Sequence, residues 1–323
     1  MIARRLSVCL LVGFAACSAT RPMPSRPGPS SGMVEDIRYL TDPYLEGRAL
    51  GSAGGDSAAV FLAERYSQLG VGGAFATTAC APESSCREAY FQRFRATGVR
   101  AENVVAIVVG TDPARRNRYV VVGAHYDHLG RSTFGALDPE RGSVLRVGAD
   151  DNASGTVALL ELGKRLAADP APFTVVFAHF DAEERGLFGS EHFVDEPPMA
   201  LDSVVMMLNL DMVGRLRGGP LTVGILPESE PLRAQVTAAA SRGGVSVSFS
   251  ARPRESRSDH LSFASNGVSS VSFFTGFHED YHRATDTADR IDLVGLASIV
   301  DLAEVLVRSV PEGLLPTGGG SVR

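Results

Sequence analysis

Tyr119-Val120-Val121-Val122-Gly123-Ala124-His125-Tyr126-Asp127 is an apolar run of strand length that stops on a histidine and an aspartate. A helix is expected from Ser154 to Ala168, with Val157, Leu159, Leu160, Leu162 and Leu166 on one broad apolar face, followed by a second apolar run from Phe173 to Phe180. Strand, helix, strand, with little alternation inside the strands, is the pattern of a sheet covered by helices on both faces. Working outward, a helix is expected around Asp56 to Leu69 and a strand at Asn103 to Val109. Downstream come strands at Ser203 to Leu210, Leu221 to Ile225 and Val268 to Phe274, with helices near Pro231 to Ser241 and Leu293 to Val310. The expected fold is α/β, a three-layer sandwich whose mixed, mostly parallel sheet carries helices on both faces.

Composition agrees with one well-packed domain. Hydrophobic residues make up 44% of the 323 positions, and no composition break divides residues 33–315,. The formal charge of −6 becomes −8 without Arg4 and Arg5, which argues against nucleic acid as a partner,. Arg4 and Arg5 precede an apolar run from Leu6 to Ala16, too short to span a bilayer, so residues 1–17 read as an export signal,. Phe14-Ala15-Ala16-Cys17 is similar to a lipoprotein lipobox, which would anchor a lipidated Cys17 to the membrane; an ordinary cleaved signal is the alternative. Either way the mature protein is expected outside the cytoplasm, periplasmic, lipid-anchored or secreted. Residues 18–32, rich in Pro, Ser and Gly, suit a tether, with folding expected from Met33 and a disordered tail at 316–323,. In an oxidising compartment Cys80 and Cys86 are expected to pair, closing a loop worth about 2 kcal/mol,.

Histidines and carboxylates gather where the expected strands stop, the edge at which open α/β sheets bind ligands. They are His125-Tyr126-Asp127, Asp150-Asp151-Asn152, Glu183-Glu184, Asp211, and His282 with Asp286. Such a set without thiolate suits zinc, with cobalt or manganese as substitutes. Two ions about 3.5 to 4 Å apart need one bridging carboxylate and roughly two further ligands each. His125, Asp151, Glu184, Asp211 and His282 meet that count and leave Glu183 over as a general base, although spacing alone leaves open which glutamate of the pair is which.

The segments Val122-Gly123-Ala124-His125-Tyr126-Asp127, Gly148-Ala149-Asp150-Asp151-Asn152-Ala153-Ser154-Gly155, Phe180-Asp181-Ala182-Glu183-Glu184, Asn209-Leu210-Asp211-Met212 and Tyr281-His282-Arg283-Ala284-Thr285-Asp286-Thr287 stand in an order that resembles the zinc aminopeptidases of the bacterial leucyl aminopeptidase type. That family includes glutamate carboxypeptidases and glutaminyl cyclases. The resemblance implies the zinc exopeptidase fold and two zinc ions bridged by Asp151. It places His125 and Asp211 at one ion, Glu184 and His282 at the other, and Glu183 as the base. By the same resemblance Asp127 accepts a hydrogen bond from His125, Asp286 orients the His282 loop, and Tyr281 offers its phenol to the developing oxyanion or simply packs. His260, in Ser258-Asp259-His260, is read as structural.

The implied activity is hydrolysis of N-terminal residues from peptides. A carboxypeptidase or dipeptidase would use the same metals with an arginine to read the substrate carboxylate, and Arg215 keeps that alternative open. Glutaminyl cyclase chemistry dispenses with one ion, and a receptor-like protein would have lost ligands that are all present here. Without a Gly-x-Ser-x-Gly elbow a serine nucleophile is disfavoured,.

Overall fold

The computed structural model describes residues 28–75, 87–252, 257–311 and 314. The export signal, Cys17, Cys80, Cys86 and the tail 316–323 lie outside them. Helix α1 (Ser31–Leu40) starts two residues before the expected Met33 because Ser30 caps it. The Ser30 hydroxyl accepts from the Met33 N–H at 3.3 Å and donates to Glu161 Oε2 at 2.8 Å,. A 3-10 segment (Pro43–Arg48) leads to α2 (Ala53–Gln68), then β1 (Gly72–Gly73), β2 (Phe91–Ala96), β3 (Val99–Val108) and β4 (Tyr119–His125). The remaining elements are α3 (Gly155–Ala168), β5 (Thr174–Phe180), α4 (Phe188–Asp195), β6 (Val204–Leu210), β7 (Leu221–Leu226), α5 (Glu230–Gly243), β8 (Val247–Phe249), α6 (His260–Ser265), β9 (Ser270–Phe274) and α7 (Leu293–Arg308).

Among the described residues nine strands make one sheet in the order β1-β3-β5-β4-β6-β9-β7-β8, with β2 paired on β3. Its centre, β5-β4-β6-β9, is parallel, as the strand-helix-strand reading requires. Antiparallel pairing enters on both sides of that centre, through β3 and through β7. The β2–β3 hairpin turns through Thr97 and Gly98, both at positive φ, the backbone of a tight two-residue hairpin turn,. Sequence reading missed β2, whose Gln92, Arg93 and Arg95 interrupt any apolar run.

Alternate strand residues feed two cores. Val120, Val122, Val175 and Phe177 face α1, α2, α3, α5 and α7, whereas Val121, Val176, Ala178 and Phe180 face α4 and α6,. Both sets are buried, which is why these strands read as unbroken apolar runs. Truncating fully buried Phe177 to alanine would cost about 3–5 kcal/mol,. Packing is tight where α3 meets the end of β6: a Cβ on Gly155 would lie 2.2 Å from the Leu210 carbonyl oxygen. Among the described residues no helix is long and apolar enough to cross a membrane. The carboxyl ends of β4, β5, β6 and β9 share one edge, and the candidate residues lie there.

Candidate metal centre

His125 is the last residue of β4 and Asp211 the first after the neighbouring β6, so the sheet ladder itself sets their separation. Glu183 and Glu184 open a 3-10 turn directly after β5, Asp151 lies in the turn leading into α3, and His282 comes from the loop after β9. Ala182, Met212 and His282 all take positive φ, at 60°, 51° and 53°. Non-glycine residues in that region cost on the order of 1 kcal/mol each, and here they aim the chain at one point.

Proximity alone groups His125 with Glu183 and Asp211, and His128 with Asp151 and Glu184. Spacing is more informative. Ligand atoms about 2.0–2.1 Å from a tetrahedral zinc lie about 3.3 Å from one another. His125 Nε2 is 3.3 Å from Asp151 Oδ1 and 3.4 Å from Asp211 Oδ1. His282 Nε2 is 3.1 Å from Asp151 Oδ2 and 3.3 Å from Glu184 Oε2. Asp151 therefore offers one oxygen to each of two ligand sets. Glu183 stands farther off, its Oε2 4.0 Å from His125 Nε2. His128 Nδ1 is too close for a fellow ligand, at 2.7 Å from Glu184 Oε1, which is hydrogen-bond distance,. Asp151 Oδ2 and Asp211 Oδ1 are buried without a hydrogen-bond partner among the described residues, the condition a cation would relieve,.

Electrostatics give the same answer. Burial opposes charge on His125, yet Glu183, Asp211, Asp127 and Asp151 hold its pKa well above the usual imidazole range. His282, also opposed by burial, is pushed up to about 11 by Asp151 and Glu184. Burial would raise Asp151, but His125 and His282 hold it well below the ordinary carboxylate value. The cluster thus favours positive charge, which divalent cations would supply on displacing the imidazole protons,. Glu183 behaves oppositely: burial, with Glu184, Asp259 and Asp211 nearby, drives its carboxyl well above the usual value against the pull of His125.

Surrounding groups fix this geometry, and two differ from expectation. Asp127 was expected to accept from His125 through its carboxylate, but Nδ1 is 3.6 Å from Oδ1 and 3.1 Å from the Asp127 backbone carbonyl, which takes the bond. The carboxylate instead accepts the backbone N–H groups of Glu183 (3.0 Å) and Glu184 (3.3 Å), locking the turn that presents both glutamates. Arg215, the candidate reader of a substrate carboxylate, is buried with its guanidinium on Asp280 (3.0 Å) and Asp286 (2.9 Å), so it does not face a substrate. Asp286 uses its other oxygen to accept the Asp150 and Asp151 N–H groups at 2.8 and 3.1 Å, joining the His282 loop to the segment that carries Asp151. Below lies Arg48, fully buried, donating to the carbonyls of Tyr126, Val147 and Gly148.

Tyr281 stacks on His282, with ring centroids 3.8 Å apart, and shares the cleft wall with Phe274 and Phe277. His260 opens α6, is buried, and belongs to neither ligand set. Three residues were not singled out in the sequence. His128 follows His125 by three positions, and that second histidine in one short segment was the available signal. Asp259 is fully buried, its pKa pushed up to about 7 by burial, and it presses on Glu183. Arg257, exposed, lines the cleft, and no local pattern marks it.

The chain is 32% identical to aminopeptidase YwaD of Bacillus subtilis over 199 residues, 58% of this chain and 40% of that protein. It is 31% identical to leucine aminopeptidase 1 of Arthroderma otae over 222 residues, 64% of this chain and 57% of that protein. The chain thus spans from 40% to 57% of the length of these two relatives. A Zn-dependent exopeptidase from Parabacteroides distasonis shares the fold at TM-score 0.68 and 19% identity, covering 88% of this chain and 99% of that one. Fimbriiglobus ruber glutaminyl cyclase does so at TM-score 0.67 and 20% identity, with 88% and 99% covered. The model of peptidase family M28 matches residues 103–307, most of the sheet and every candidate ligand, and the chain belongs to that family.

Proposed function

We propose that this chain is an exported zinc aminopeptidase that removes N-terminal residues from peptides at a two-ion centre, with Glu183 as general base. The observation that carries the reading is Asp151, whose two oxygens each stand at tetrahedral ligand spacing from a different histidine. His125 and Asp211 would hold one zinc, and His282 and Glu184 the other, bridged by Asp151. When bound, the ions polarise the scissile carbonyl and acidify the attacking water. The rest is the protein's own work. Glu183, outside both ligand sets and raised in pKa by burial, takes a proton from the water as its oxygen attacks the carbonyl carbon,. The same carboxyl then delivers that proton to the amine nitrogen as the C–N bond breaks. Asp127 keeps the base in place through the Glu183 N–H.

An acidic cleft suits a free α-ammonium group, and the Phe274, Phe277 and Tyr281 wall suits an apolar side chain. Carboxyl-end cleavage is the second reading. With Arg215 sequestered it rests on Arg257, an exposed cation at the cleft. Paired peptides of one sequence test the two: cleavage of the amidated but not the acetylated peptide supports an aminopeptidase, and the reverse transfers the assignment to Arg257 and a carboxypeptidase. Metal analysis giving one ion at most in a fully active enzyme would remove the two-ion centre. Lipid on Cys17 and a Cys80–Cys86 bond are part of the export reading, and mass spectrometry of the native protein checks both.

A further inference from the structure

We infer that His128 is a positioning residue that fixes Glu184 as a one-oxygen ligand of the second ion. The inference rests on the two-ion reading and adds to it a residue outside both ligand sets. His128 is 2% exposed, and its Nδ1 lies 2.7 Å from Glu184 Oε1. The other oxygen, Oε2, is the one at ligand spacing from His282 Nε2, at 3.3 Å. A carboxylate with both oxygens free can pivot or chelate an ion through both. With Oε1 engaged by an N–H donor, Oε2 is the better placed and more basic oxygen to bind, and the carboxylate plane is set,.

The rest of the imidazole has little else to do. Its Nε2 is buried without a hydrogen-bond partner among the described residues, and Nδ1 is 3.9 Å from Asp151 Oδ2, beyond hydrogen-bond reach,. Its ring meets the His282 ring edge to face, with centroids 5.8 Å apart. One side chain therefore meets both terminal ligands of the second set. The backbone makes room for it: Gly148, at φ 57°, is where a Cβ would lie 2.3 Å from His128 Cγ.

The test measures zinc affinity at each site by stepwise calorimetric competition with a chelator, in wild type, His128→Leu and His128→Asn. Asparagine places an amide donor near the position of Nδ1. The leucine variant is expected to bind the second zinc about 10- to 100-fold more weakly with the first nearly unchanged, and the asparagine variant to recover most of the loss. Melting of the metal-free proteins shows that each variant folds. Folded variants with unchanged second-site affinity, or an asparagine variant no better than leucine, overturn the inference. X-ray absorption counting three imidazoles over two ions in the wild type also overturns it, because His128 would then be a ligand. A wild type that binds one zinc only removes the two-ion reading and this inference with it, a result distinct from the others.

Discussion

The two ligand sets are built by different means. His125 and Asp211 stand at the ends of adjacent parallel strands, with Gly123 and Asn209 in register just before them, so main-chain hydrogen bonds of the sheet set their distance. Glu184 and His282 come from loops, and side chains hold them. Asp127 grips the Glu184 N–H, and His282 Nδ1 donates to the Gly135 carbonyl at 2.7 Å. Asp286 and Arg215 tie the loop to the rest of the molecule. Exposure does not follow the same division, since strand-borne His125 and Asp211 are 1% and 19% exposed and loop-borne Glu184 and His282 are 5% and 13%. A strand-borne ligand is as rigid as the core beneath it, whereas a loop-borne ligand is as rigid as the few polar bonds around it.

The largest expected effect ignores the division. Asp151→Ala should empty both sites, with metal analysis after gel filtration falling from two zinc equivalents to near none. A variant that keeps one tightly bound ion would show the halves to be independent of the bridge. Next, Glu183→Gln should lower kcat by about 10²- to 10⁴-fold while zinc content stays at two, because the amide can neither accept nor deliver the proton. Glu184→Gln should instead lower the second zinc affinity, and an exchange of these phenotypes would reverse the roles within the pair.

Arg215→Met bears on the comparison most directly. It leaves Asp286 buried without its cation and Asp280 with only Arg290 at 3.8 Å, a loss of about 3–5 kcal/mol in stability,. Thermal melts should fall accordingly, and graded chelator should remove the second ion first. Loss of both ions at one chelator concentration would mean that the strand ends depend on the loop as much as the loop ligands do. Smallest is Tyr281→Phe, where kcat should drop by about 10-fold or less with KM unchanged if the phenol meets the oxyanion. Full kcat would leave Tyr281 as a packing residue against His282 and Phe277.

This division also explains what the sequence disclosed. The apolar runs ending in His125 and Asp211 carry a signal because they are two of several strand ends with charged groups at the edge where open α/β sheets bind ligands,. The loop ligands have no such period. Glu184 and His282 were legible as charged groups past the strand ends, but their separate roles came only through resemblance to a family, and spacing could not separate Glu183 from Glu184. Arg215 stayed open as a substrate reader because a charge after a strand looks available until its partners, Asp280 and Asp286, are seen 65 and 71 positions away. The Asp127 carboxylate and His128 act on groups 56 or 57 residues distant, beyond any local pattern.

Arg48 has a consequence for the order in which the polypeptide is made. Its guanidinium waits for carbonyls 78 to 100 positions later, and the cluster above it is complete only when His282 and Asp286 have left the ribosome. A nascent or truncated chain ending before those residues carries the base and the bridge but no second histidine. On the proposed reading the second ligand set is thus completed late in biosynthesis, after the base and the bridge are already made.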